Sequence, residues 1–332
     1  MSPELIFVIL LAVVFDFLNG IHDSSNIVAT MIASRAFSPR SALALTATAE
    51  FLGPFLFGVT VATTIGNEVA QSSALTLDVI VACLVGAITW NLITWFLGIP
   101  SSSSHALIGG MVGAVIVGAG IGSIKLHGLE KVLIALFASP LIGFVFGFII
   151  TRIIYFMARA ATPEVNWFFK KGQLITALGM AFSHGTNDAQ KTMGIITLSL
   201  VISGSISSFK VPFWVIAISA SAIALGTALG GWRLIRTLGG KFYKIRPVHG
   251  FSTQLTSGLV IMAASFFGLP VSTSQVVSSA IIGVGSSERF GKVRWSVAQE
   301  IVAAWFITIP ASALVAAVVY WLIIFVKVRF SP

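Results

Sequence analysis

Apolar runs long enough to cross a bilayer follow one another along the chain, separated by short polar clusters in which most of the basic residues collect. This is the pattern of successive membrane-spanning helices, not of a water-soluble core. The runs predict segments at about 3–34, 41–65, 77–99, 105–121 and 132–158. After a loop, further segments are predicted at about 174–204, 212–232, 249–269, 275–287 and 296–326. The first and sixth are expected to be interrupted by their polar motifs. Short strands of strict alternation, the mark of a membrane β-barrel, are not found. The expected fold class is therefore all-α, a polytopic membrane protein. The opening Met1–Gly20 lacks a basic n-region and a cleavage site, so it reads as a true span and not as a signal peptide.

Two polar clusters are out of place in this pattern. No Asp, Glu, Lys or Arg occurs from Val79 to Ile124, yet the middle of that run reads Pro100-Ser101-Ser102-Ser103-Ser104-His105. Pro270-Val271-Ser272-Thr273-Ser274-Gln275 repeats the oddity. The halves also share an earlier motif. Phe17–Asn26 aligns with Phe182–Lys191, matching Gly20 to Gly185 and Asp23 to Asp188, while Phe96–Ser104 aligns with Phe266–Ser274. Two ordered motifs at nearly equal offsets indicate an internal duplication. The expected organisation is a first repeat over 1–158, a basic cytoplasmic linker over 159–173 and a second repeat over 174–332. Five segments per half make the second copy enter from the opposite side, giving inverted repeats.

Charge sets the orientation. With the N-terminus outside, the cytoplasmic loops hold Arg35, Arg40, Arg152, Arg159, Lys170, Lys171, Arg233, Arg236, Lys241, Lys244, Arg246, Arg289, Lys292 and Arg294. The outside holds only Lys125, Lys131, Lys210, Lys327 and Arg329, as the positive-inside bias requires. The net charge of +9 belongs to those loops, so no nucleic-acid partner is expected. Composition agrees: 9% of residues are charged and 56% apolar, with mean hydropathy +0.98, against about 25% charged in soluble domains. The single Cys83 excludes an intramolecular disulfide and a cysteine-rich metal site.

Proline followed by hydroxyl residues reads as a helix break and a new helix starting under a side-chain cap. Gln275–Ser287 is only 13 residues, roughly 20 Å as a helix against a hydrocarbon core of about 30 Å. Two re-entrant helical hairpins with serine tips are expected. Their free N–H groups and positive dipole ends suit an anion, and Ser101–Ser104 facing Ser272–Ser274 would form a polar cage. The structural alternative is that these serines only pack helices together.

Asp23 and Asp188 fall near mid-segment, where a charge costs about 3 kcal/mol or more. With Asn19, Asn26, Asn187 and Gln190 they suggest an oxygen-rich site for a small hard cation, which would then invite an oxyanion. Structural capping, or pairing with Lys191, is the plainer alternative. Lys191 is the one mid-segment cation and stands where the first half has Asn26; neutralising Asp188 and contacting substrate both remain open for it. His22, His184 and Glu50 are expected along the pathway, and Asp16 and Glu300 are read as structural. A nucleophilic hydrolase at Ser104 and His105 finds no support, since adjacent helical residues do not face each other and neither G-x-S-x-G nor H-E-x-x-H is present. No enzyme activity is expected.

Asn19–Thr30 and Ser183–Ile195 resemble the paired G-x-N-D signatures of the inorganic phosphate transporter (PiT) family. GIPSSSSHALIG and GLPVSTSQVVSSAIIG are similar to its paired Pro-Ser motifs. The resemblance covers nearly the whole chain and departs from the common form at His22, where Asn is usual. It implies a secondary transporter importing phosphate by symport with sodium, or with protons in some bacterial members. Sulfate permeation and a passive anion channel are the alternatives. Expected phosphate ligands are Ser102, Ser103, Ser104, His105, Ser272, Thr273, Ser274, Gln275, Gln190 and Thr186. Asp23, Asn26, Asp188 and Asn187 are expected to hold sodium. No cofactor beyond coupling sodium ions is expected. The partners are phosphate, sodium or protons and the lipid bilayer of the inner membrane, with the oligomeric state left open.

Overall fold

A computed structural model of the protein describes residues 2–240 and 243–330; Lys241, among the basic loop residues above, lies outside them. Twelve α-helices form among the described residues: α1 (Pro3–Ala33), α2 (Pro39–Leu56), α3 (Thr60–Asn67), α4 (Leu77–Leu97), α5 (Ser103–Ala119), α6 (Leu126–Met157), α7 (Val165–Ile202), α8 (Phe213–Leu229), α9 (Trp232–Gly240), α10 (Pro247–Phe266), α11 (Thr273–Glu288) and α12 (Trp295–Phe330). Local chemistry sets several of their ends. Ser2 caps α1 and Ser38 caps α2, each followed by proline at the first helical position, where its missing N–H costs nothing.

Helices α1, α4, α6 and α12 are long and apolar enough to cross a membrane. The bent pairs α2–α3 and α8–α9 each pass the same test when taken together. The breaks fall where glycine takes positive φ: Gly58 at +79° before α3 and Gly230 at +76° before α9, with bends of 78° and 70°. The interruptions expected at the aspartate motifs are not there. Both α1 and α7 run unbroken, because neither motif contains proline and their polar side chains pack on neighbouring helices with the backbone ladder intact. Residues 165–173 of the expected linker form the first turns of α7. The basic stretch after residue 232 also contains a helix, α9, whose Leu234, Ile235 and Leu238 are buried while Arg233 and Arg236 are exposed.

The second six helices repeat the order of the first six, and their packing repeats too. Helix α5 packs on α12 as α11 packs on α6; α1 lies along α8 and α9 as α7 lies along α2 and α3. Each half thus completes the other. The matched helices α1 and α7 run antiparallel: Ser34 Oγ meets Gln173 at 3.0 Å, Asp23 lies 3.8 Å from His184, and Asn19 meets Asp188 at 3.3 Å. The exterior of α6 and α12 is apolar, with Leu141, Phe146, Leu314, Trp321 and Phe325 exposed, whereas Asp23, Asn19, His184 and Asp188 are buried inside. This polar-in arrangement is the reverse of a soluble domain.

Backbones approach most closely at matched glycines. A Cβ on Gly20 would strike Ile223 O and one on Gly185 would strike Glu50 O; Gly226 meets Phe17 O and Gly53 meets Phe182 O in the same way. Gly226→Ala is therefore expected to cost about 1–3 kcal/mol of stability through overpacking, measured as a lowered thermal midpoint in detergent. Gly179→Ala, with nothing within 4 Å of the added Cβ, should leave the midpoint unchanged or raise it.

Candidate functional site

Helical spacing builds the site. Asn19, Asp23, Asn26 and Thr30 share one face of α1, and His184, Asp188 and Lys191 share one face of α7, at three- and four-residue steps. All seven are buried. Asp23 Oδ1 accepts from Asn26 Nδ2 at 3.0 Å and lies 2.9 Å from His22 Nδ1. Asp188 Oδ2 accepts from Asn19 Nδ2 at 3.3 Å, and its Oδ1 accepts from Lys191 Nζ at 2.5 Å. The His184 ring stands among three carboxylates, 3.4 Å from Asp188, 3.8 Å from Asp23 and 2.6 Å from Glu50. These are close contacts without hydrogen-bond alignment. Thr273 Oγ1 lies 3.3 Å from Asp23 Oδ2 and 3.1 Å from Asp188 Oδ2, and its single proton serves one of them at a time.

Acceptors outnumber donors here. Asn19 Oδ1, Asn26 Oδ1, Asn187 Oδ1 and both Glu50 oxygens are buried without a hydrogen-bond partner, an uncommon state for buried polar atoms. Ligand atoms of Asp23, His184 and Asp188 lie within 4.8 Å of one another. Carboxylate and amide oxygens in this density suit a hard cation.

The serine tips complete the site. Helix α4 ends at Gly98 with φ +71°, and Ser102 caps α5 by accepting from His105 N at 3.1 Å. Gly268, with φ +65°, follows α10 in the same way, and Ser272 caps α11 by accepting from Gln275 N at 3.3 Å. Each cap takes the third N–H, so the first two still point out of the helix end. The tips face each other. Ser104 Oγ donates to Val271 O at 3.0 Å, and Ser274 Oγ donates to Ser101 O at 2.8 Å. Residues 104 and 274, and 101 and 271, share the repeat offset, so the contact maps onto itself when the halves are exchanged. His105 Nδ1 lies 2.8 Å from Ser102 Oγ and 3.3 Å from Gln275 Nε2, while Ser272 Oγ lies 3.3 Å from Ser274 Oγ. Ser103 is buried beside them. Two positive helix ends, roughly half a charge each, thus converge beside the carboxylates.

Some of the sequence-derived candidates take other partners. Gln190 Oε1 accepts from Val61 N at 2.8 Å and Ala62 N at 3.3 Å, holding the start of α3. Thr186 Oγ1 donates to Phe182 O at 2.7 Å and packs against α2 at Gly53. Asn187 Nδ2 donates to Ser265 Oγ at 2.9 Å and Leu269 O at 3.3 Å, bracing the approach to the second tip. Asp16 is buried with both oxygens unpartnered, and Glu300 is exposed. The bracing threonines were not foreseen. Thr64 Oγ1 donates to Gly268 O at 2.8 Å and Thr237 Oγ1 donates to Gly98 O at 3.2 Å. They are matched positions on α3 and α9, and reading α9 as a loop hid that match.

Antiparallel motif helices, an apolar exterior and a buried polar interior have the form of a polytopic membrane transporter. A family model described as "Phosphate transporter family" matches residues 19–316, and the chain belongs to that family. The chain is 44% identical over 321 residues to a "Probable low-affinity inorganic phosphate transporter" of Rhizobium meliloti (strain 1021), covering 96% of each. It is also 44% identical over 322 residues to a protein of the same description from Bacillus subtilis (strain 168), again covering 96% of each. A solved structure described as "The sodium-dependent phosphate transporter" has the same fold, with a TM-score of 0.87 at 24% identity, covering 98% of this chain and all of that one. The protein is thus a transporter and not an enzyme.

If the tip-to-tip bonds hold the hairpins together, Ser274→Ala should lower stability by about 0.5–1.5 kcal/mol. The thermal midpoint in detergent reads this, with the exposed Ser207→Ala as a control expected to stay within about 0.5 kcal/mol.

Proposed function

We propose that the protein imports inorganic phosphate by symport with a cation, sodium in the first instance, across the inner membrane. Two inverted repeats would alternate the access of one midplane site between the two faces. The observation that carries this reading is the convergence of two helix N-termini on a buried carboxylate pair, with Thr273 in reach of both carboxylates. The names borne by the relatives and the fold neighbour support phosphate as the substrate and sodium as the ion.

The chemistry follows from charge. Asp23 and Asp188 alone would repel an oxyanion. A cation held by Asp23, Asp188 and the ring of His184, with amide oxygens such as Asn26 Oδ1 adding to its shell, cancels that repulsion, and Glu50 answers the far side of the ring. Phosphate then takes Ser102–Ser104, His105, Ser272–Ser274 and Gln275 at the two helix ends. Its oxygens replace the bonds that Ser104 and Ser274 make across the tips, each worth about 1 kcal/mol net. Helix ends contribute about 0.3–2 kcal/mol each, too little alone to strip water from a multivalent anion. Cation and anion therefore load together.

Orientation follows the basic residues. Arg35, Lys244, Arg246 and Arg294 line one cleft at the C-terminal end of α1, assigned to the cytoplasm by the positive-inside rule. At the opposite end Lys327 pairs with Asp78 at 2.8 Å and Lys131 with Glu68 at 2.9 Å.

Purified protein in liposomes, given labelled phosphate with sodium and proton gradients imposed separately, tests the reading. Accumulation above equilibrium is expected under a sodium gradient. Equal uptake with neither gradient would refute coupling, and stronger inhibition by sulfate than by arsenate would reassign the substrate. Asp23→Asn and Asp188→Asn should each abolish gradient-driven uptake while eluting as folded protein. Ser103→Ala with Ser104→Ala should raise the phosphate KM several-fold; an unchanged KM would leave the first tip a packing element only.

A further inference from the structure

The two motifs align position by position around a shared Gly and Asp, and one aligned position differs in formal charge: Asn26 in the first half stands where the second has Lys191. Their geometry is parallel. Asn26 Nδ2 reaches back three residues to Asp23 Oδ1 at 3.0 Å, and Lys191 Nζ reaches back three residues to Asp188 Oδ1 at 2.5 Å. Lys191 Nζ goes further, donating to Ser104 Oγ at 2.6 Å and to Val271 O at 3.1 Å. An ammonium has three protons and no acceptor, so these three oxygens satisfy it completely. The side chain is 1% exposed.

Exchanging the halves maps that oxygen set onto Asp23, Ser274 Oγ and Ser101 O. The mapped contacts repeat pairwise: Ser274 Oγ and Ser101 O lie 2.8 Å apart, as Ser104 Oγ and Val271 O lie 3.0 Å apart, and Asp23 bonds Asn26 as Asp188 bonds Lys191. In this half the residue at the lysine position brings an amide, whose Oδ1 is buried with no hydrogen-bond partner. One half thus supplies a positive charge of its own, and the other supplies one more oxygen ligand.

We propose that the Lys191 ammonium is a tethered stand-in for a coupling cation, holding in the second half the position that an exchangeable cation takes beside Asp23 and Asn26 in the first. The proposal rests on the symport reading above and deepens it. Asp188 carries its own counter-charge, so the unanswered negative charge that recruits an ion from solution at these matched positions is that of Asp23, with Asp188 lending that ion an oxygen ligand and no net charge. The ammonium also ties Asp188 to both tips through Ser104 and Val271, a link that a free ion would make and break with each cycle. The duplicated architecture is then asymmetric in stoichiometry although nearly symmetric in shape.

Equilibrium binding of radioactive sodium to purified protein in detergent, counted per chain, tests this. Lys191→Asn, which makes the second motif match the first, is expected to bind one sodium more than the unsubstituted protein. In liposomes it should steepen the sodium dependence of phosphate uptake, with the Hill coefficient rising by roughly one. A monodisperse Lys191→Asn protein with an unchanged sodium count would overturn the proposal. Should that variant not elute as folded protein, the mirror change Asn26→Lys decides: uptake is expected to become indifferent to the imposed cation gradient, and retained dependence overturns the proposal. Failure of the symport reading itself shows separately, as absence of gradient-driven phosphate uptake by the unsubstituted protein, whereas the gain of a sodium in Lys191→Asn is read by binding alone.

Discussion

Two carboxylates held at the centre of an apolar body must be answered by positive charge, and much of the architecture serves that requirement. Asp23 and Asp188 are fully buried where α1 and α7 meet, and a bare charge withdrawn from water there is costly. Each draws its own set of groups: His22 and Asn26 for Asp23, Lys191 and Asn19 for Asp188, with His184 and Thr273 between them. These groups come from α1, α7 and the tip of α11. Neither motif works in isolation, so the site exists only when the two halves are assembled.

The packing enforces that assembly. Each serine-tipped hairpin seats its second helix on the long terminal helix of the opposite half, α5 on α12 and α11 on α6. The tips then donate to each other's backbone carbonyls through Ser104 and Ser274. Non-helical backbone at this depth is tolerated because protein, not lipid, satisfies it. The Ser104 and Ser274 hydroxyls are spent on carbonyls of the facing tip, so under the proposed reading loading would exchange bonds of similar strength instead of creating them from nothing. Such an exchange would let a substrate bind and leave without a deep trap.

Close backbone approach is the second requirement. Gly20, Gly53, Gly185 and Gly226 sit where a Cβ would strike a carbonyl of the facing helix. The matched pairs let α1 lie on α8 and α7 lie on α2 with no intervening side chain. The sequence marks Gly20 and Gly185 through the repeated motif. Nothing local marks Gly53 and Gly226, whose role depends on which helix lies opposite.

Reading along the chain was enough for the helical class, the duplicated motifs, the serine tips and the burial of the aspartates, because each follows from runs, breaks and charge placement within one segment. The unbroken course of α1 and α7 was not legible, since polar residues in mid-span look like a break until a partner helix is there to receive them. Helix α9 was masked by its arginines, which lie on its exposed side and give the stretch the composition of a loop. Gln190, Thr186 and Asn187 belong by spacing to the aspartate motif, yet tertiary contacts turn them toward α3, α2 and the approach to α11. The sequence determined which groups would be available at mid-membrane and that they come in two copies. Only the folded structure decided which copies face one another, because that choice depends on helices from opposite halves meeting at distances no linear spacing encodes.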